Sequence, residues 1–167
     1  MKKAFSFLLV LALVLTLAAC GAAATLPADE DNMQEISNPW LAVSSMEDAE
    51  AYLGYGMTAP ETVDGLSLAA IRTLADNDNE ILEVSYGSGR NKASIRKAPA
   101  TTEDISGDYT EYAKTETVTI GGIAVTEKGD GENVFSAVWT KGEYSYAFFS
   151  TVGVSADSLA ELISGIE

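Results

Sequence analysis

The chain has 167 residues, of which 47% are hydrophobic, and a formal net charge of -15. This length suffices for one domain with a core, the hydrophobic content excludes a fully disordered chain, and the negative charge makes nucleic acid an unfavourable partner. Histidine is absent and cysteine occurs once, which excludes Ser-His-Asp and Cys-His catalytic pairs, histidine-rich metal sites and disulfides within the chain.

The first twenty residues have the pattern of a signal peptide. Lys2 and Lys3 precede the uncharged run 4–19, which is shorter than the about 20 residues of a membrane span. The run ends in Leu-Ala-Ala followed by Cys20. This ending resembles the lipobox of bacterial lipoproteins, which implies cleavage before Cys20 and attachment of fatty acyl chains such as palmitate. The alternative is an ordinary secretory signal, or an uncleaved anchor, with an incidental cysteine.

This pattern predicts the organisation and location of the chain. Residues 1–19 are expected to be a lipoprotein signal peptide, residues 20–37 a lipidated Cys20 with a flexible acidic tether, and residues 38–167 a single domain. The tether prediction rests on Asp, Glu and Ala content without apolar periodicity. The expected location is the outer face of the cytoplasmic membrane, and the expected partner is that membrane, reached through the lipid at Cys20.

The domain begins with a predicted helix in SSMEDAEAYLGYG, residues 44–56. Ser44 and Glu47 have the spacing of a capping box, and Gly54 can end the helix. After Pro60 the pattern changes to short strand-like runs separated by turn residues.

The central part of the chain predicts hairpins. Two runs flank the turn cluster at 76–79, a third run follows the glycines near residue 88, and a loop follows from Pro99 to Tyr109. Residues 116–149 then predict a four-stranded meander with glycine-containing turns. Such short connections require antiparallel neighbours.

The final segment, SADSLAELISGIE, predicts an amphipathic helix capped by Ser155. Its apolar stripe consists of Leu159, Leu162, Ile163 and Ile166. The element order predicts an α+β fold: a single curved antiparallel sheet of about six to seven strands, with the N-terminal and C-terminal helices packed on one face.

The best localised candidate for a binding surface is a basic run on the third strand. It contains Arg90, Lys92, Arg96 and Lys97. On a strand the first three share one face, with Lys97 opposite. One interpretation is a site for an anionic ligand, a lipid headgroup or an acidic partner. The other is cross-strand pairing with Glu83 and Glu80 together with protection of a sheet edge.

Two acidic turn segments bear on metal binding. Asp76, Asp78 and Glu80 place oxygen ligands at alternate positions, as at the start of a calcium loop. Ile81 stands where such a loop needs glycine, and Asn and Asp favour tight turns for local reasons. Residues 129–133 carry the same two interpretations. We therefore expect no metal site and name the three acids only as weak candidates.

Enzymatic signatures are missing from the sequence. No nucleophile elbow, phosphate loop or dinucleotide fingerprint occurs, so we expect no catalytic residues and no cofactor. Late aromatic residues are predicted to pack in the core, the alternative being a pocket for an apolar ligand. They are Trp139, Tyr144, Tyr146, Phe148 and Phe149.

Several segments together resemble a family of secreted or lipid-anchored proteins of Gram-positive anaerobes, known as a domain of unknown function. They are NPW at 38–40, EDAEAYLGYGMTAPETVDG at 47–65, SIRKA at 94–98, DISGDYTEY at 104–112 and VWTKGEYSYAF at 138–148. The end of the chain is similar to the extracytoplasmic domains of anti-sigma-type regulators, and the layout remotely resembles LolA-type lipoprotein carriers. The resemblance implies a fold and a compartment, and it supplies no catalytic residues.

Three functions follow as hypotheses. The first is a lipid-anchored interaction or sensing module whose partner is an unknown envelope protein. The second is a carrier of a lipid or other apolar ligand in the concave face of the sheet. The third, least favoured, is a carboxylate-based cell-wall hydrolase, which would need two carboxyls about 5–10 Å apart in a cleft.

Overall fold

Residues 38–76, 79–101 and 103–167 are described by a computed structural model of the chain. These residues form two helices and nine strands. The helices are α1 (Met46–Leu53) and α2 (Ala156–Gly165), and the strands are β1 (Leu41–Val43), β2 (Thr62–Val63), β3 (Leu66–Asp76), β4 (Asn79–Ser88), β5 (Asn91–Pro99), β6 (Lys114–Ile120), β7 (Ile123–Gly129), β8 (Val134–Lys141) and β9 (Tyr144–Val154). The predicted α+β class is confirmed.

The strands form one open antiparallel sheet in the order β1-β3-β4-β5-β9-β8-β7-β6, and β2 pairs with β3 outside this path. Tight hairpins join β4 to β5 and the four strands of the meander, as predicted, and β3 pairs with β4 in antiparallel orientation up to Asp76 opposite Asn79. The sheet exceeds the predicted strand number because β1 and β2, with three and two residues, are too short to leave a periodic signal. Register shifts in three strand pairs bend the sheet locally.

Both helices begin and end at local capping signals. Ser45, rather than the predicted Ser44, caps α1: its hydroxyl accepts a hydrogen bond from the Asp48 N–H at 3.2 Å. The predicted box was therefore displaced by one residue, because both serines have an acid three positions later. Gly54 ends the helix with φ of 80°, and Ser155 caps α2 as predicted. In the described ranges, neither helix combines the length and apolar content needed to cross a membrane.

One face of the sheet carries the core and both helices. Alternate residues of the central strands point to this face and are buried with the apolar stripes of the helices. The largest fully buried apolar side chains are Tyr86, Phe148, Leu82, Ile95, Leu159, Ile163 and Ile166. The predicted stripe of α2 is confirmed, with Leu162 partly buried at its margin.

The opposite face is crossed by residues 100–113, called here the crossover segment, of which residue 102 is not described. Because β5 pairs with β9, the chain must pass from the middle of the sheet to its β6 edge before it returns through the meander. The crossover segment is held by Ser145, which exchanges hydrogen bonds with the Thr101 backbone, and by Lys128, whose amine donates to Asp104 at 2.7 Å. Tyr112 also stacks on Phe135.

Candidate functional site

Strand β5 divides the four basic residues of the predicted binding surface. Arg96 points to the face that the crossover segment covers, and Lys97 points to the helix-covered face, as period-two alternation requires. The prediction that Arg90 shares a strand face with Lys92 and Arg96 is wrong, because β5 begins only at Asn91 and Arg90 lies in the β4–β5 turn. Arg90 and Lys92 are both exposed. Thr151 fixes the end of this hairpin by donating to the Arg90 carbonyl and accepting from the Lys92 N–H. Arg90 and Lys92 are thus the part of the run that can meet an anion, and such binding stays a prediction.

Arg96 belongs to a group of charged and polar side chains around the buried Glu83, called here the arginine–glutamate cluster (Arg72, Glu83, Ser85 and Arg96), in which Arg72 and Arg96 are 39% and 20% exposed. Glu83 is only 2% exposed. Arg96 binds one carboxylate oxygen through Nε and Nη2, each at 2.8 Å. Arg72, which lies on β3, binds the other carboxylate oxygen of Glu83. The Ser85 hydroxyl donates to that same oxygen at 2.9 Å. Cross-strand pairing of Arg96 with Glu83, which is part of one interpretation of the basic run, is confirmed. The other part, protection of a sheet edge, is wrong, because β5 lies between β4 and β9.

Trp40 and the crossover segment complete this cluster from outside the sheet. The guanidinium carbons of Arg72 and Arg96 lie 5.4 and 5.2 Å from the centre of the Trp40 ring, within range of cation–π attraction. Arg96 also donates to the Ile105 carbonyl at 2.9 Å. Gly107 has φ of 69°, and a Cβ there would run into the Arg96 guanidinium, so only glycine allows the segment to approach this closely.

The electrostatics of the cluster are those of a closed structural site. Burial acts to raise the pKa of Glu83, but the charge of Arg96 and hydrogen bonds from Arg72, Arg96 and Ser85 outweigh it and lower that pKa. Glu83 is therefore ionised at neutral pH, and each of its oxygens already accepts hydrogen bonds. Such a carboxylate is a poor general acid or base, and the cluster instead ties three strands, the crossover segment and Trp40 together.

Lys97 occupies a cage of aromatic rings on the helix-covered face. Its amine donates to the Gly56 carbonyl at 2.6 Å and lies 4.3 Å from the Tyr144 ring centre, with Tyr55 and Tyr146 within 5.9 Å. Burial lowers the pKa of Lys97, with a smaller contribution from the charge of nearby Lys141. The side chain is only 6% exposed, so this amine serves packing between β5 and the chain after α1, and no anion can reach it without displacing the tyrosines.

The structure describes the second acidic turn segment, residues 129–133, more fully than the first, residues 76–80. Asp78 lies outside the described residues, only the backbone of Asp76 is described, and Glu80 is exposed on β4. In the second segment, Asp130 accepts hydrogen bonds from the N–H groups of Glu132 and Asn133 at 2.8 and 2.7 Å, which confirms its turn interpretation. Within the described parts of the chain, no three acidic or cysteine side chains are grouped to hold a metal ion.

A second buried carboxylate lies near the edge of the sheet. Glu127 on β7 is 6% exposed and stands directly opposite Glu116 on β6. Burial raises the pKa of Glu127, and the charge of Glu116 raises it further, while Lys114 acts in the opposite sense. Like charges directly opposite in a sheet destabilise it. This pair therefore weakens the β6–β7 hairpin at neutral pH.

Replacing Glu127 with glutamine is expected to stabilise the protein by about 0.5–1 kcal/mol at pH 7. A raised native pKa means that the stability contributed by Glu127 is present below pH 4.5, its unfolded value, and is lost as pH rises through the native value. The gain should therefore vanish at pH 4. Urea unfolding at both pH values measures it, with exposed Glu111→Gln as control. A loss of stability at pH 7 would contradict this account.

The late aromatic residues lie where a core requires them. Trp139, Tyr146 and Phe148 are buried, which confirms their predicted packing role, and the Trp139 and Tyr146 rings stack with centroids 5.4 Å apart. Tyr144 is partly buried against Tyr55. Phe149 is partly buried on the opposite face, because consecutive strand residues alternate.

Trp40 and Arg72 are the residues of this cluster that motif reasoning did not connect. The signal for Trp40 was present but indirect: Trp40, Arg96 and Gly107 fall in three of the segments on which the family resemblance rests, whereas Arg72 falls in none of them. Spacing along the chain cannot reveal that these segments meet around Glu83, since the meeting depends on the path of the crossover segment. Comparisons of the chain with protein-family models, curated proteins and solved structures found no match.

Proposed function

We propose that this chain is a lipid-anchored interaction or sensing module, without catalytic activity, on the outer face of the cytoplasmic membrane. The observation that carries the proposal is the sequence of residues 17–20, Leu-Ala-Ala-Cys, at the end of an uncharged run that follows Lys2 and Lys3. The resemblance to secreted and lipid-anchored proteins supports the same compartment.

The charge of the chain fits an anchor of this kind. A domain with an excess of carboxylates is repelled by anionic lipid headgroups, so a covalent lipid rather than surface charge must hold it at a membrane. Removal of Lys2 and Lys3 with the signal peptide would make the chain two charges more negative. The tether then lets the domain stand away from the surface.

Three features of the described domain favour an interaction role over the alternatives. The buried carboxylate of Glu83 is saturated by two arginines, which leaves it unsuited to hydrolysis. Large buried side chains fill the space between the helices and the sheet, which leaves little room there for the apolar ligand of a carrier. Tyr109, in the crossover segment, is 96% exposed, and tyrosines are enriched in protein–protein interfaces.

Replacing Cys20 with alanine is expected to move the protein out of the membrane fraction, because the acyl chains have no other attachment atom. Fractionation of cells, with mass spectrometry of the N-terminal peptide, measures both effects. Equal melting temperatures of the two forms control for folding. Native protein with a bare Cys20 thiol would overturn the anchor, and repeated cross-linked pull-downs without a partner would count against the interaction role.

A further inference from the structure

Strand β6 forms one edge of the sheet and carries few of the usual protections of an edge. Its seven residues pair with β7 without a register shift, and it contains no proline. Among the described strands, none pairs with its outer side. The edge at the other end of the sheet is β1, which has only three residues. A regular edge of this length, whose charged side chains Lys114 and Glu116 stand only at its start, is a template for pairing with another strand.

The turn after β6 indicates which backbone groups face outward. Gly121 and Gly122 form a two-residue loop with φ of 56° and 85°, the turn type whose flanking residues form a hydrogen-bonded pair. Hydrogen-bonded pairs alternate with non-hydrogen-bonded pairs along an antiparallel ladder. Ile120 and Ile123 form the hydrogen-bonded pair at the turn, so every second residue before Ile120 also bonds to β7. The backbone groups that point away from β7 therefore belong to Thr115, Thr117 and Thr119. The hydroxyls of Thr117 and Thr126 lie 3.4 Å apart, as expected for the closer side chains of a non-hydrogen-bonded pair.

The side chains of β6 are compatible with a copy of themselves. Three threonines line one face of the strand, and the two charges of the other face, Lys114 and Glu116, neutralise each other at 2.5 Å. The strand is therefore locally neutral in a strongly negative chain. Repulsion between two copies is weakest along such a segment.

We propose that two copies of this chain associate through antiparallel pairing of their β6 strands, with the two-fold axis at Thr117. In this register the two strands overlap over their whole length, with Thr117 opposite Thr117 of the other copy and Thr115 opposite Thr119. Only backbone groups that point away from β7 then bond to one another. About six main-chain hydrogen bonds result. The continuous sheet then runs through both domains, which is strand addition with the chain as its own partner.

Cysteine cross-linking in the full chain tests the register. Hydrogen-bonded partners have Cα atoms about 5.5 Å apart, which suits a disulfide. Under mild oxidation, Thr117→Cys should cross-link to itself several-fold more than Thr119→Cys, whereas Thr119→Cys mixed with Thr115→Cys should recover the cross-linked dimer. Equal cross-linking at all positions, or none at Thr117, would overturn the proposal. The unsubstituted chain is the control: if it cross-links through Cys20, the lipid anchor fails while the β6 comparison still stands.

A proline variant tests the association without cysteine chemistry. In Thr117→Pro the ring removes an outward N–H that β7 does not use, so the fold should persist, as proline is tolerated on such edges. Two differently tagged full chains produced in one cell should co-purify when unsubstituted and lose co-purification when both carry Thr117→Pro. An unchanged circular dichroism spectrum controls for folding. Co-purification that survives the substitution would contradict the proposal.

Discussion

Replacing Glu83 with glutamine is expected to lower the free energy of unfolding by about 1.5–3 kcal/mol at pH 7. The substitution keeps the size of the side chain but removes the negative charge between Arg72 and Arg96. Two guanidinium groups would then lie close together without a counter-ion. Water can reach Arg72, which is 39% exposed, more readily than Arg96, which is 20% exposed, so the cost falls mainly on Arg96. Urea unfolding followed by circular dichroism measures the loss.

The effect of Glu83→Gln should depend on pH in a defined direction. The native pKa of Glu83 is lowered from 4.5, so its contribution to stability is present above pH 4.5 and is lost as pH falls through the native value. The difference between the two proteins should therefore shrink below pH 4.5. Glu80→Gln, exposed on the same strand, is the control and should change stability by less than about 0.5 kcal/mol. Equal effects of the two substitutions would show that the cluster does not hold the fold.

Replacing Phe148 with alanine is expected to cost about 3–5 kcal/mol of stability, because its ring is fully buried at the centre of the helix-covered face. The matched control is Phe149→Ala, one residue later on the same strand. The Phe149 side chain is partly exposed and lies on the opposite face of the sheet. It removes the same atoms from β9 but less buried area, so its cost should be clearly smaller. Chemical denaturation of both variants under one condition makes the comparison.

A Phe149→Ala cost equal to that of Phe148→Ala would mean that the crossover segment covers its face as tightly as the helices cover theirs. A small cost for Phe148→Ala would contradict the assignment of the core to the helix-covered face. Either result would change the conclusion that the main core lies between the sheet and the helices.

The parts of the fold that were predictable have local causes. The stripe of α2 shows the helical period, and glycine pairs such as Gly121-Gly122 mark hairpins, because such turns require positive φ. The capping error at α1 shows the limit of local signals, since Ser44 and Ser45 satisfy the same rule. The pairing of β5 with β9 left no local trace, because the partners are about 50 residues apart.

The candidate site also has parts that were predictable from the sequence and parts that were not. The contact between Arg96 and Glu83 was predictable, because neighbouring strands of a hairpin place them side by side. The position of Lys97 opposite Arg96 followed from strand alternation, but its tyrosine cage did not, since Tyr55 and Tyr144 come from distant segments. The contribution of Trp40 depends on a three-residue strand that has no periodic pattern.

The position of β9 between β5 and β8 governs the order in which the sheet can be completed. Until residues 144–154 have left the ribosome, strands β1–β5 and strands β6–β8 form two separate half-sheets, in which the β5 and β8 edges are unpaired. The two half-sheets can therefore join only after β9 has been synthesised. This late step slows folding and leaves unpaired strand edges exposed until then. A chain interrupted before Tyr144 would lack the strand that unites the halves, and its fragments should aggregate rather than form a smaller stable domain.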